Sequence, residues 1–154
     1  MPKRDILHDV VKQALVKSGW EITDDPYRIH YGERFLYVDL GIEAPAFGPN
    51  DGQIVGAQRQ GRQIAVEIKE FRGSSAIVDL EHAIGQYVLY RLLLNKTDPD
   101  RVLYLAVMDE IYEDIFSEPV GEVVIKELPL QLIVIDSKRI EVQKWIPSPP
   151  IVKS

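Results

Sequence analysis

A long apolar helix in the middle of the chain is the feature that most constrains the fold. Residues 76–95 read AIVDLEHAIGQYVLYRLLLN, follow a capping residue at Ser75, and are apolar over most of the helical circumference. A helix of this kind needs apolar neighbours on most sides, so we expect it to be buried centrally. With 154 residues, the chain is long enough to form one domain with a hydrophobic core around this helix.

The patterns on either side of the helix predict a mixed sheet. Asp5 is expected to cap a first helix that ends at Gly19, residues 119–128 are ambiguous, and the tail over about 147–154 is expected to be loose. The chain is thus predicted to be one α/β (α+β) domain over residues 1–154, with a mixed central sheet flanked by helices. The expected elements are a helix over 6–18, strands over 34–42, 53–58 and 62–71, the helix over 76–95, a strand over 102–108, a short helix near 112–116 and a hairpin of 130–136 with 139–146.

Two charged side chains interrupt one of these apolar strands. In IAVEIKEF, residues 64–71, alternation places Glu67 and Lys69 on the same face. Burying an unpaired charge costs several kcal/mol, so the pair needs an explanation. At the edge of a sheet it would be a solvated salt bridge worth at most about 1 kcal/mol. In a metal site Glu67 would hold a divalent cation and Lys69 would lie beside the chemistry.

The position of the acid-x-Lys triplet is more informative than its spacing. With 24 acidic residues in 154, such a triplet arises by chance roughly once or twice, and Asp136 with Lys138 repeats it in a predicted hairpin turn. Asp39, also out of place in an apolar strand, precedes Glu67 by 28 residues, and adjacent strands would bring the two carboxylates together. Two carboxylates, the carbonyl of Ile68 and waters are the oxygen ligands that Mg²⁺ prefers, with Mn²⁺ as an alternative.

Charge and composition limit the classes of function. A net charge of −6 counts against broad, sequence-independent binding to phosphate backbones. The absence of cysteine excludes disulfides and cysteine-ligated metals, and it fits a cytoplasmic protein. The first residues, MPKRDILHDVVKQALVKSGW, do not read as a signal peptide, and we expect no membrane span.

The motifs resemble those of the PD-(D/E)xK nucleases, which have a restriction-endonuclease-like fold. VDLG supplies Asp39 and VEIKEF supplies Glu67 and Lys69, although Val38 stands where the pattern has proline. The resemblance implies that Asp39 and Glu67 bind Mg²⁺ and that Lys69 assists water in cleaving a phosphodiester.

Further candidate site residues lie on the two predicted helices and near the ends of the strand that carries Glu67. GQYVLY resembles the Gln-xxx-Tyr motif of RecB-like nucleases, and Gln86 and Tyr90 either contact the site or DNA, or simply hydrogen-bond within the core. In related nucleases an acid on the first helix often completes the metal site, for which Asp9 is the better candidate than Asp5. The remaining assignments are His8 as a partly buried, hydrogen-bonded histidine that also has a place near the site, His82 as structural, and Arg59, Arg62 and Arg72 as phosphate contacts or a solvated rim.

Over residues 4–146 the chain is also similar to the XisH family, the fdxN element excision controlling factors of cyanobacteria. The similarity rests on DILHDVVKQALVKSGWEITDDP, LYVDLG, IAVEIKEF, DLEHAIGQYVLY, LYLAV, QLIVID and VQKW. It implies a role in excising a DNA element during heterocyst differentiation, with an XisI-like companion protein and a site-specific recombinase as partners.

Two functions follow from these resemblances. One is a metal-dependent DNA nuclease, which the intact set of acids and lysine favours. The other is a catalytically silent regulator that keeps the nuclease fold, binds the companion protein and steers the recombinase; the net charge of −6 favours it. A homo-oligomer or a partner would supply the basic surface that a DNA-binding role requires.

Overall fold

A six-stranded sheet forms the centre of the computed structural model, which describes residues 3–44, 62–73 and 75–147. The predicted strand over 53–58, Arg59 and most of the predicted tail lie outside the described residues. The elements are α1 (Lys3–Lys17), β1 (Glu21–Asp24), β2 (Tyr27–Tyr31), β3 (Arg34–Val38), β4 (Leu40–Glu43), β5 (Gln63–Ile68), α2 (Ala76–Thr97), β6 (Arg101–Met108), α3 (Asp109–Ile111) with a π-helical turn (Tyr112–Phe116), α4 (Pro119–Glu127), β7 (Leu132–Asp136) and β8 (Glu141–Ile146).

The strands of the central sheet lie in the order β1-β4-β5-β6-β7-β8. β5 is antiparallel to β4 and parallel to β6, and β6 is parallel to β7, while the outer pairs are antiparallel. The predicted mixed sheet is therefore confirmed. Because β5 has a hydrogen-bonded neighbour on each side, the interpretation of Glu67 and Lys69 as residues of an edge strand is wrong.

The helices α1 and α2 cover opposite faces of the sheet. Val11 and Leu15 of α1 pack with Ile64 and Val66 of β5, whereas Ala65 belongs to the cluster formed by α2. The predicted alternation of β5 is therefore confirmed. None of the helices in the described ranges has the length and apolar character needed to cross a membrane.

The predicted strand over 34–42 is in fact two strands that belong to different sheets. β3 pairs with β2 in a separate hairpin, with Val38 opposite Tyr27, while β4 pairs with β5, with Leu40 opposite Val66. The chain bends between them at Asp39. β1 and β2, in a stretch for which no element was predicted, supply partners for the two halves.

Two further expectations are corrected by the structure, and one ambiguous segment is assigned. α2 is not buried centrally: it packs against the sheet on one side, and Leu89 and Leu92 on its other side are 47% and 56% exposed. α1 begins at Lys3, so Asp5 lies inside the helix and does not cap it. The ambiguous residues 119–128 form α4, which has proline in its first turn, where a missing N–H is tolerated.

A partly buried ion pair ties the β2–β3 hairpin to the sheet. The Tyr27 hydroxyl donates to Asp98 Oδ2 at 2.7 Å, and Arg101 Nε donates to the same oxygen at 3.0 Å. Arg101 Nη1 reaches the carbonyl of Ile64 at 3.2 Å, and its guanidinium lies 4.4 Å from the centre of the Tyr27 ring. Burial and the bond to Asp98 raise the pKa of the Tyr27 hydroxyl. These contacts fix the start of the hairpin against the N-terminal ends of β5 and β6.

Two helical glycines should respond in opposite ways to alanine. A Cβ at Gly121 of α4 would lie 2.4 Å from backbone atoms of Ile115 and Phe116, whereas a Cβ at Gly85 of α2 would meet nothing within 4 Å. We expect Gly121→Ala to lower the free energy of unfolding by about 1–3 kcal/mol or more through backbone overlap. Gly85→Ala should raise it by about 0.4–1 kcal/mol, because alanine has less backbone entropy to lose. Urea unfolding of both variants checks this, and destabilisation by Gly85→Ala would contradict it.

Candidate functional site

Glu67 is a buried carboxylate on the α2-facing side of the central strand. Its residue is 4% exposed, and its register partner on β6 is the fully buried Leu105. Ala65, two residues earlier on β5, packs in the cluster formed by α2. Alternation therefore directs Glu67 to the same side, where most neighbours are apolar. A carboxylate in this position needs specific polar contacts to remain ionised.

Asp39 supplies one of these contacts and also closes the sheet ladder. The Asp39 amide donates to Glu67 Oε1 at 3.3 Å, and Asp39 Oδ2 accepts the amide of Ile68 at 2.8 Å. The β4–β5 register, extended by one pair, would place Asp39 opposite Glu67, and a second pair would place residue 38 opposite Ile68. Val38 instead pairs with β2. The Asp39 carboxylate thus takes the Ile68 N–H that β4 would otherwise have served.

Lys69 follows β5 directly and lies beside Glu67. Its ammonium is 3.8 Å from Glu67 Oε2, and its side chain is 26% exposed, against 6% for the glutamate. The Lys69 amide donates to the carbonyl of Ala106 at 3.0 Å, which holds the residue at the end of the parallel ladder. Glu67 therefore lies between the other two residues of the cluster: the partly exposed ammonium of Lys69 is beside its carboxylate, and the amide of Asp39 donates to it.

Gln86 and Tyr90 lie on α2, which packs on the face of the sheet that carries Glu67. Gln86 Nε2 donates to the Tyr90 hydroxyl at 3.0 Å, and Tyr90 is buried in the α2 cluster. Gln86 Oε1 is buried and has no hydrogen-bond partner among the described residues. The side chains bond to each other, as one of the two alternatives expected. A role at the site stays a prediction.

The residues predicted on α1 have other contacts. His8 Nε2 lies 2.8 Å from Asp25 Oδ1, and Lys12 donates to Asp25 Oδ2 at 2.7 Å. Burial raises the pKa of Asp25, but the bonds and charges of Lys12 and His8 outweigh it and leave that pKa lowered. Asp9 is exposed on the same helix. α1 covers the opposite face of the sheet from Glu67, so the part of His8 and Asp9 in the site stays a prediction.

The remaining sequence candidates lie away from this cluster or have structural contacts. Asp136 accepts the amides of Lys138 and Arg139 at 2.9 Å, which agrees with its interpretation as a turn residue. These two bonds lower the pKa of Asp136. Arg72 forms an exposed ion pair with Glu70 at 3.7 Å. In addition, His82 is exposed on α2, and Arg62 has a buried Nε with no hydrogen-bond partner within the described part of the chain.

The donor set fits a magnesium ion better than a metal with a full protein cage. The Glu67 carboxylate accepts the Asp39 amide and the Asp39 carboxylate accepts the amide of Ile68, so both acids are held at the same end of β5. In the ranges that the structure covers, no three histidine, cysteine, aspartate or glutamate side chains are grouped to hold a metal. Mg²⁺ is commonly held by one or two carboxylates, with waters and substrate phosphates completing the octahedron. Two carboxylates are enough for that mode.

The β2–β3 hairpin is the part of this region that sequence reasoning missed. It leads directly into Asp39, and its outer face carries Arg28, His30, Phe35 and Tyr37. The signal was present: YRIHY and RFLYV are separated by two residues, Gly32 and Glu33, and a two-residue loop with glycine first indicates a tight hairpin. Gly32 has a φ of +62°, which this kind of turn requires.

Comparison with known proteins gives one family. The family model described as XisH protein matches residues 1–143. The chain is 39% identical to an fdxN element excision controlling factor protein from Anabaena variabilis, whose crystal structure superposes with a TM-score of 0.78 over 93% of this chain and 99% of that one. It is 36% identical to an XisH family protein from Nostoc punctiforme PCC 73102, with a TM-score of 0.77 over 92% and 99% of the two chains. No curated protein matches the chain.

A double-mutant cycle should show that Glu67 and Lys69 act as a pair. Lys69→Ala removes a cationic partner of a buried carboxylate, and we expect the free energy of unfolding to fall by about 1–3 kcal/mol. Adding Glu67→Gln should restore most of that loss, giving a coupling of about 0.5–3 kcal/mol in denaturant unfolding. Lys138→Ala, in the second acid-x-Lys triplet, is the control and should stay within about 0.5 kcal/mol of wild type. Additive effects of the two site substitutions would contradict the pairing.

Proposed function

The chain belongs to the XisH family, and we propose that it acts in the excision of a DNA element as a divalent-metal-dependent nuclease of the PD-(D/E)xK type. The observation that carries this proposal is the contact set of Asp39, Glu67 and Lys69 on a central strand. Glu67 accepts one backbone amide, but apolar residues of similar volume are commonly as stable as buried charges or more so, so packing alone does not explain the acid. The charged cluster is better explained by chemistry than by packing.

The element order supports the superfamily assignment. After α1 and the strands β1 to β3, the chain forms β4, which begins after Asp39, and then β5, which has Glu67 near its end. α2 follows, and then β6, which is parallel to β5. This is the order on which the resemblance to the restriction-endonuclease-like core rests. The excision role is supported by the relative from Anabaena variabilis, which is named as an fdxN element excision controlling factor.

Asp39 and Glu67 would hold the ion, with the carbonyl of Ile68 as a further oxygen ligand. A bound Mg²⁺ or Mn²⁺ would lower the pKa of a coordinated water and neutralise charge developing on the phosphate. The Asp39 carboxylate is oriented by the Ile68 amide, and Glu67 by the Asp39 amide, so each acid has a fixed direction before any ligand binds. Such preorganisation is what a site for charge stabilisation requires.

Lys69 would act on the phosphate side of the same site. Its side chain is partly exposed, and its ammonium lies near Glu67 without a short hydrogen bond. It is therefore placed to donate to a non-bridging phosphate oxygen while Glu67 keeps it in position. In the transition state the extra negative charge would strengthen that bond, which is the differential stabilisation that accelerates hydrolysis.

A second function is favoured by the net charge of −6. A lone acidic domain binds duplex DNA weakly, and a nuclease fold that binds an XisI-like companion protein and steers a recombinase would not need to cut. In this alternative the basic surface comes from the companion or from a homo-oligomer. Metal binding without cleavage would distinguish this regulator from the nuclease.

Metal titration tests the site directly. We expect isothermal titration to detect binding of Mg²⁺ or Mn²⁺ by the wild type, and Glu67→Ala to weaken it by more than about 100-fold, because a ligand is lost rather than an outer contact. Glu70→Ala is the matched control: Glu70 lies three residues along, on the other side of the strand, and pairs with Arg72. Absence of binding by the wild type would exclude the nuclease.

Cleavage assays test the role of Lys69. Supercoiled and branched DNA should be cut in the presence of Mn²⁺ or Mg²⁺, and Lys69→Ala should reduce the rate by at least about 100-fold through loss of charge stabilisation. Lys138→Ala should cut at the wild-type rate. Cleavage that survives Lys69→Ala would show that the activity comes from a contaminant or another site, and the assignment would fail.

A further inference from the structure

We propose that the outer face of the β2–β3 hairpin binds unpaired DNA bases next to the site. This inference rests on the proposed function, which makes DNA the substrate, and adds where and in what form the strand is held. The face is formed by two cross-strand pairs, Arg28 with Tyr37 and His30 with Phe35. All four residues are exposed, whereas Ile29 and Val38 on the inner face are buried against the body of the protein.

The rings on this face are exposed to a degree unusual for large aromatic residues. Phe35 is 49% exposed and Tyr37 is 52% exposed. The His30 and Phe35 rings stack with their centres 4.3 Å apart and their planes inclined by 15°, and the Arg28 guanidinium lies 5.0 Å from the centre of the Phe35 ring. The result is a short row of flat groups that ends in the open Tyr37 ring. Nucleobases stack on aromatic rings of this kind.

The charge of the hairpin favours a nucleic acid over an acidic protein surface. Arg28 on the outer face and Arg34 beside the turn carry positive charge, and Glu33 in the turn is the one acid between residues 27 and 38. In a chain of net charge −6 this segment is locally cationic. Proteins bind single-stranded nucleic acids through arginine beside exposed rings, since the guanidinium binds phosphate while the rings stack on bases.

The hairpin also lies directly before the proposed metal site in the sequence. β3 ends at Val38, and Asp39 is the next residue, so Tyr37 precedes the metal-binding carboxylate by two residues, or about 6.6 Å of extended chain. Phe35 lies about 13 Å of chain away. The partly buried ion pair of Asp98 and Arg101, to which Tyr27 donates, anchors the same hairpin to the sheet. A strand stacked on these rings would lead a phosphate toward Lys69. Bases inside a duplex are not available for stacking, so the ligand is unpaired DNA.

Binding of a short labelled oligothymidylate, followed by fluorescence anisotropy, tests the proposal. The assay is done in EDTA so that binding is measured without cleavage, with a duplex of equal length as the comparison. We expect the single strand to bind more tightly than the duplex. Phe35→Leu and Tyr37→Leu, which keep an apolar side chain in the strand but remove the ring, should each weaken single-strand binding by about 5- to 150-fold. Arg28→Ala should lower the salt slope by about 0.7.

Tyr31→Leu is the matched control, because Tyr31 is a tyrosine of the same hairpin that is 46% exposed but alternates onto the side of Ile29. It should bind within about twofold of wild type, and thermal melting should show all variants folded. If the Phe35 and Tyr37 variants bind like wild type, or if the duplex binds more tightly than the single strand, the proposal fails and the face is left as a protein contact. The anisotropy assay contains EDTA and does not depend on cleavage. A failure to cut DNA in the separate cleavage assay would therefore contradict the proposed nuclease activity without affecting the measured binding of single-stranded DNA.

Discussion

One hydrogen bond determines how the two sheets meet. β5 is a central strand, so the amide of Ile68 at its end needs an acceptor where β4 no longer supplies one. A buried donor left without a partner costs about 1–3 kcal/mol. The carboxylate of Asp39 accepts that amide at 2.8 Å, which allows the chain before it to turn away and pair with β2. The same bond fixes a carboxylate beside Glu67, so the geometry of the candidate site follows from the way in which the ladder ends.

The acid on the central strand is the feature that the fold itself does not require. Glu67 lies on the α2 face of the sheet beside the buried Ala65 and its register partner Leu105, where an apolar side chain would pack without a desolvation penalty. The contrasting triplet at Asp136 shows what a structural acid looks like in this chain. Asp136 ends β7 at the hairpin turn, and its Oδ1 accepts two backbone amides of that turn. Local rules are broken at Glu67 and obeyed at Asp136, and broken rules concentrate where a protein binds or reacts.

Much of the fold was predictable because it depends on local periodicity. The alternation of β5, the strand over 102–108, the long helix and the last hairpin all have patterns that do not need partners to be recognised. The bend at Asp39 was not predictable in this way, since Leu36, Val38, Leu40 and Ile42 keep one apolar row through it. Only the partners differ: Val38 packs with α2, and Leu40 packs with α1.

The placement of β5 and of α2 likewise depended on contacts distant in sequence. β5 is central because it pairs in parallel with β6, beginning with Gln63 opposite Arg101. The whole of α2 separates the two strands in sequence. α2 is apolar on nearly every side, but a single sheet face covers one side of a helix, so Leu89 and Leu92 remain outside. For the site, the residue types and their separation predicted Asp39, Glu67 and Lys69 as neighbours, whereas the partners of His8 depended on a turn that no periodicity indicates.

The net charge of −6 affects a bound DNA strand less than the charges close to the candidate site do. At physiological salt, charges separated by more than about 8 Å of solvent are largely screened, so a bound strand responds to nearby residues rather than to the total of −6. Near Asp39 those residues include Arg28 and Lys69, together with the rings of Phe35 and Tyr37. A surface with few cations gains little from the phosphates of a duplex, whereas ring stacking does not depend on counterion release. Under the proposed function, an acidic protein built in this way would discriminate against intact duplex and favour DNA whose strands are already open.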